Sequence, residues 1–130
     1  MIVVDSSVWV DFFNGIETKE TDRLQSLLGV EPIIIGDLIL AEVLQGFRLD
    51  RDYRRALELF QDFPVVGMVG PEMAVQSARN YRSMRKRGIT IRKTIDVMIA
   101  TYCIYHSLAL LYSDLDFRPF AEYLGLIEAM

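Results

Sequence analysis

"LLYSDLDF", residues 110–117, runs an apolar segment straight into two carboxylates set one residue apart, Asp114 and Asp116. Residues 108–112 show no polar alternation, the pattern of a strand buried on both faces. Two acids at the end of such a strand repel each other unless something positive sits beside them. The chain opens in the same way: "MIVV" (1–4) reads as a short buried strand, and Asp5 follows it at once. "PIII" (32–35) and "PVVGMV" (64–69) read as two more such strands, and 125–127 as a short last one.

Helical patterns fill the intervals. "SSVWVDFF" (6–13) predicts a short helix capped by a serine, and 18–29 a polar-faced helix ending at Gly29. Residues 37–47 read as an apolar helix, 51–61 as a charged one, and 71–87 as a helix with Pro71 in its first turn. Two further helices are expected at 94–107 and 117–124. Apolar strands alternating with helices predict a three-layer α/β/α sandwich around a central parallel sheet of four to five strands. One domain spanning 1–130 is expected. Ligands in such folds bind outside the carboxyl ends of the strands, which sends Asp5, Asp114 and Asp116 to one edge.

With 52% hydrophobic and 25% charged residues, the chain has the composition of a packed globule, which excludes disorder. A net charge of −4 argues against coating nucleic acid by charge alone. The charge is uneven, however. No acid occurs from Met73 to Ile95, while "RNYRSMRKRGITIRK" (79–93) holds seven Lys and Arg. Arg79, Arg82 and Lys86 share one helix face, and Arg92 and Lys93 carry the charge on toward Asp96. Such a belt either grips RNA phosphates or is a solvated helix face. A single histidine excludes paired-His ribonuclease chemistry within the chain, and the single Cys103 excludes an internal disulfide. No apolar run reaches the ~18 residues of a membrane span, and the N-terminal segment lacks a basic signal-peptide region. A cytoplasmic protein without membrane contact is expected.

Two more acids stand alone in apolar helices: Glu42 is the one charge in 38–47, and Asp96 the one charge in 94–107. Lone acids in such settings rarely lack a partner. Bland readings exist for each: an exposed stripe of Glu42 with Gln45, a capped helix start at Thr94 for Asp96, and plain capping for Asp5 and Asp114. Taken together, with no lysine expected beside Asp5, Glu42 or Asp114, the acids require raised pKa values or a bound cation. Oxygen ligands without His or Cys select a hard ion, Mg²⁺ or Mn²⁺. Ser7 and Ser113 flank the acids as capping residues or as supports for a ligand. Trp9, Phe12 and Phe13 are expected in the core or at a dimer contact, and Cys103 and His106 as packed side chains.

"IVVDSSVWVDFF" (2–13), "LAEVLQG" (40–46), "TIDVMIA" (94–100) and "LLYSDLDFRPFAEYLGL" (110–126) together resemble, in order and spacing, the PIN domain. Within it they resemble the VapC-type toxins of toxin–antitoxin pairs. The resemblance spans essentially the whole chain. It implies an endoribonuclease whose metal site is formed by Asp5, Glu42, Asp96 and Asp114, with Asp116 as an accessory carboxylate. It also implies a homodimer and a cognate antitoxin whose tail blocks the cleft. Hydrolysis by a metal-activated water would leave 3′-hydroxyl and 5′-phosphate ends. Rival readings fit less well. A phospho-receiver domain wants adjacent acids after its first strand and a lysine after its last. A haloacid-dehalogenase-type phosphatase wants Asp-x-Asp where this chain has "DSSV". A non-catalytic module using its acids to bind a basic partner is separable by metal titration.

Overall fold

The computed structural model describes residues 1–130 and contains five strands and seven α-helices. The strands are β1 (Ile2–Val4), β2 (Ile33–Gly36), β3 (Val65–Val66), β4 (Ala109–Leu111) and β5 (Ile127–Glu128). The helices are α1 (Ser6–Phe13), α2 (Lys19–Leu27), α3 (Asp37–Gln45), α4 (Asp50–Phe60), α5 (Pro71–Lys86), α6 (Thr94–Tyr105) and α7 (Arg118–Leu124). All strand pairs are parallel, in the order β3-β2-β1-β4-β5. The expected α/β/α sandwich is therefore present, with the upper of the two strand counts.

That order fixes the site. From β1 the chain steps outward through β2 to β3, then returns across to β4 and steps outward again to β5. Right-handed crossovers put α1–α4 on one face of the sheet and α5–α7 on the other. The direction reverses between β1 and β4, and the crevice at such a reversal lies above the strands' carboxyl ends. Receiver domains use the order 2-1-3-4-5 instead, which sets this chain apart from them.

The centre of the sheet is wholly apolar: Val3, Val4, Ile35, Leu110 and Leu111 are buried, in one cluster with Trp9, Ile39, Ile99 and Phe117. Trp9 is fully buried and packs against Phe12, Phe13, Phe60 and Phe63, so the aromatic run of α1 is core. Cys103 is buried as expected, and its surroundings push the thiol up to about 12, an inert state. His106 departs from expectation. It is exposed at the end of α6, with its ring against Tyr102 and Tyr105.

Two strands differ from the expected bounds for local reasons. Residues 64–69 contribute only Val65 and Val66, because the Asp37 carboxylate accepts the Met68 N–H at 3.0 Å and takes it from the ladder. The last strand begins at Ile127 because Gly125, in the left-handed region at φ 80°, ends α7 and the Leu126 N–H bonds back to Phe120 O.

Candidate metal centre

Four of the five carboxylates that line one cleft of about 390 Å³ come from four different elements. Asp5 leaves the end of β1, and Asp114 lies three residues beyond β4. Glu42 comes from α3 on one face of the sheet, and Asp96 from the first turn of α6 on the other. Ser6, Ser7, Val10, Asp11, Lys93 and Ser113 complete the lining.

The edge that carries the site is tied together by short bonds. The Asp5 N–H donates to Leu111 O at 2.8 Å, joining β1 to the end of β4. Asp5, not a serine, caps α1: its carboxylate accepts from the Ser7 N–H at 3.1 Å and from the Ser7 hydroxyl at 2.6 Å. That hydroxyl in turn accepts the Ser113 N–H at 3.1 Å. The Ser6 hydroxyl donates to Glu42 at 3.2 Å, which holds Glu42 in the cleft while Gln45 stays exposed. The two serines after Asp5 thus serve two different carboxylates. Asp114 caps the 3-10 turn Leu115–Phe117 by accepting the Asp116 N–H at 3.0 Å. Thr94 does not cap α6; that position belongs to Lys93, which makes no side-chain capping bond.

Electrostatics set the acids against one another. Asp5 is raised above the usual carboxylate range by burial, opposed by the Ser7 bonds. Glu42 is raised by burial and then by Asp5. Asp96 is pushed up to about 7, first by burial and then by the Asp5 charge, with Lys93 pulling the other way. Asp5 Oδ1, Asp96 Oδ2 and Ser113 Oγ are buried and accept or donate no hydrogen bond. Unpaired buried carboxylate oxygens beside like charges are costly unless a cation joins them. An all-oxygen donor set of this kind fits a hard divalent ion.

Cations also reach the site, contrary to the expectation that no lysine stands beside Asp114. Lys93 Nζ lies 3.6 Å from Asp114 Oδ2, and its ammonium is held above its ordinary pKa by Asp96 first and then Asp114. Arg92 binds Asp116 through both carboxylate oxygens at 3.0–3.1 Å. Oxygens of Asp96, Asp114 and Asp116 lie within 4.8 Å of one another, so Asp116 is near the acids. It lines a neighbouring recess with Arg92, Lys93 and Asp96, of which Lys93 and Asp96 also line the cleft of Asp5 and Glu42. The other predicted cations stand apart: Arg79, Arg82 and Lys86 line a shallow surface depression on α5 with Ser83 and Arg87 and no acid. Arg87 also sits over the Tyr123 ring at 4.7 Å. The pairs Arg92–Asp116 and Lys93–Asp114 join loops far apart in sequence, and no periodicity in the chain signals them.

The sequence pattern of the PIN domain matches residues 2–123. This chain belongs to the PIN-domain family. Its similarity extends to the ribonuclease VapC11 of Mycobacterium tuberculosis and a VapC ribonuclease of Mycobacterium bovis. Each is 28% identical over 131 residues, a match covering 99% of this chain and 98% of the relative. Among solved structures, VapBC2 of Rickettsia felis, bound to a promoter DNA fragment, superposes with a TM-score of 0.77 at 18% identity, covering 98% and 97% of the two chains. VapC20 of Mycobacterium tuberculosis, a Sarcin-Ricin loop cleaving toxin, superposes with a TM-score of 0.69 at 15% identity, covering 98% of each. These superpositions show a PIN fold along nearly the whole chain. No helix is long and apolar enough to cross a membrane.

Proposed function

We propose that this PIN-domain protein is a divalent-cation-dependent endoribonuclease, the toxin of a toxin–antitoxin pair. The observation that carries the reading is the convergence of Asp5, Glu42, Asp96 and Asp114 from four elements, with buried oxygens left unpaired. Asp5, Asp96 and Asp114 are assigned as holders of Mg²⁺ or Mn²⁺, with Glu42 beside them; Asp116 is assigned to Arg92. When bound, such an ion polarises a phosphodiester and supplies a water of lowered pKa. The chain's own groups do the rest. Ser7 fixes the Asp5 carboxylate, Ser6 fixes Glu42 against α1, and Ser113 faces the cleft with a free hydroxyl. Glu42, the acid of this set left outside the three assigned to the ion, is assigned the role of taking a proton from an attacking water.

Arg79, Arg82 and Lys86 are assigned as a track for the phosphate backbone, offsetting the acidic mouth of the site. Arg92 and Lys93 are paired with Asp116 and Asp114 and lie, along the chain, between that track and Asp96. VapC-type relatives and neighbours named as toxin–antitoxin complexes support an antitoxin as the partner. A homodimer and a cytoplasmic location complete the proposal.

Incubation of the purified protein with total cellular RNA and Mg²⁺ or Mn²⁺ tests it. The expected result is discrete cleavage with 5′-phosphate and 3′-hydroxyl ends, absent in Asp5→Ala. Recovery of 2′,3′-cyclic phosphate ends, or cleavage retained in Asp5→Ala, would contradict it.

A further inference from the structure

Lys93 is the one cation lining the cleft, among five acids: Asp5, Asp11, Glu42, Asp96 and Asp114. Its ammonium sits 3.6 Å from Asp114 Oδ2, an oxygen of one of the three carboxylates assigned to the divalent ion. Three features hold it there. It occupies the N-cap of α6 with extended backbone, so its side chain starts three residues before Asp96 at the cleft mouth. Its neighbour Arg92 is paired with both oxygens of Asp116, which keeps the end of the preceding loop beside the cleft. No other basic side chain lines the cleft to share the charge. The side chain remains about half exposed, at 53%, so the ammonium can leave Asp114 for water without unfolding anything.

We infer that Lys93 is a tethered counter-ion of the metal centre, occupying Asp114 in the cation-free chain and displaced from it when a divalent cation binds. The inference rests on the cation-binding reading above and adds a regulatory element to it. The single ammonium acts in two ways: it sits on an Asp114 oxygen and it repels an incoming ion of the same sign. Both effects weaken metal binding, so removing the charge strengthens it. By reciprocity, the metal loosens the Lys93–Asp114 contact by the same factor that the contact weakens the metal.

The test is Mn²⁺ affinity by calorimetry on the full chain, with every variant measured at the same pH. Wild type is compared with Lys93→Met, Lys93→Arg and Asp96→Asn. Lys93→Met is expected to bind Mn²⁺ about threefold to tenfold more tightly at low salt, with the gain shrinking as salt screens the pair. Lys93→Arg, which keeps the charge, is expected to stay near wild type, and Asp96→Asn to lose most of the binding. Unchanged or weaker Mn²⁺ binding by Lys93→Met, with wild type binding normally, overturns the counter-ion role alone. Wild type binding no better than Asp96→Asn overturns the metal centre and the counter-ion together.

Discussion

The Ser7 hydroxyl bridges two strand ends: it donates to Asp5 at 2.6 Å and accepts the Ser113 N–H at 3.1 Å, across a separation of 106 residues. One small side chain thus fixes the rotamer of the deepest carboxylate and the path of the chain toward Asp114. Ser7→Ala is expected to cost about 1–2 kcal/mol of stability, since it strips partners from two part-buried groups. Supporting bonds of this kind around a metal site are worth about 10-fold to 100-fold in affinity, so Mn²⁺ binding should weaken within that range. Ser7→Thr, which keeps the hydroxyl, should lie between wild type and alanine. Denaturant unfolding and Mn²⁺ calorimetry check both effects.

Asp96 links the site to stability. Its carboxyl is pushed up from 3.8 to about 7, by burial and then by Asp5. Between those two values the folded chain holds a proton that the unfolded chain has released, so this group favours folding below pH 3.8 and ceases to do so as pH rises through 7. In EDTA, the melting temperature should therefore fall from about pH 4 to about pH 7, with Asp96 responsible for a drop of a few degrees. Asp96→Asn should flatten that component and melt higher than wild type at about pH 8, while losing nuclease activity. Mn²⁺ should reverse the loss in wild type, because it binds only the deprotonated site. Thermal melts over the pH range check the sign, and a lower melting temperature for Asp96→Asn would make Asp96 a structural group.

Asp116 and Asp114 are separated by one residue and by surroundings, although their oxygens lie within 4.8 Å of each other and of Asp96. Both oxygens of Asp116 are engaged by Arg92, whereas Asp114 lines the cleft with the deep acids. Asp116→Asn should leave Mn²⁺ affinity within about threefold of wild type and cost under about 1 kcal/mol of stability, the scale of an exposed ion pair. Asp114→Asn should lose most of the affinity. Equal losses in the two variants would make Asp116 a ligand in its own right.

Gly36 joins β2 to α3, and Met68 packs onto its Cα. A Cβ there would meet Met68 Cε at 2.8 Å and Cγ at 2.9 Å, with the sulfur closer still. Met68 is fully buried and has little room to yield. Gly36→Ala should destabilise by about 1–3 kcal/mol, the usual cost of overpacking, and Met68→Ala in the same chain should recover part of it. Chemical denaturation of the single and double variants measures the coupling.

The framework was legible because the central strands β1, β2 and β4 are buried and so read as unbroken apolar runs, whereas the edge strands β3 and β5 are largely exposed and fall only partly on their expected residues. The deep acids were legible for the complementary reason: Glu42 and Asp96 are single charges in apolar helices, and Asp5 and Asp114 follow central strands. What the chain hid is tertiary. The capture of Met68 by Asp37 shortens β3, and the clasping of Asp114 and Asp116 by Lys93 and Arg92 joins loops about twenty residues apart. Neither contact has a local sequence pattern. His106 looked like a packed side chain because its helix is apolar, yet it falls past the last buried turn.

Anomalous diffraction from crystals equilibrated with Mn²⁺ tests the central claim most directly, since it locates the cation without reference to activity. The predicted result is a peak in the cleft within coordination distance of Asp5, Asp96 and Asp114, lost in Asp96→Asn. A cleft without a peak at saturating Mn²⁺, or a peak that persists unchanged in Asp96→Asn, would contradict it.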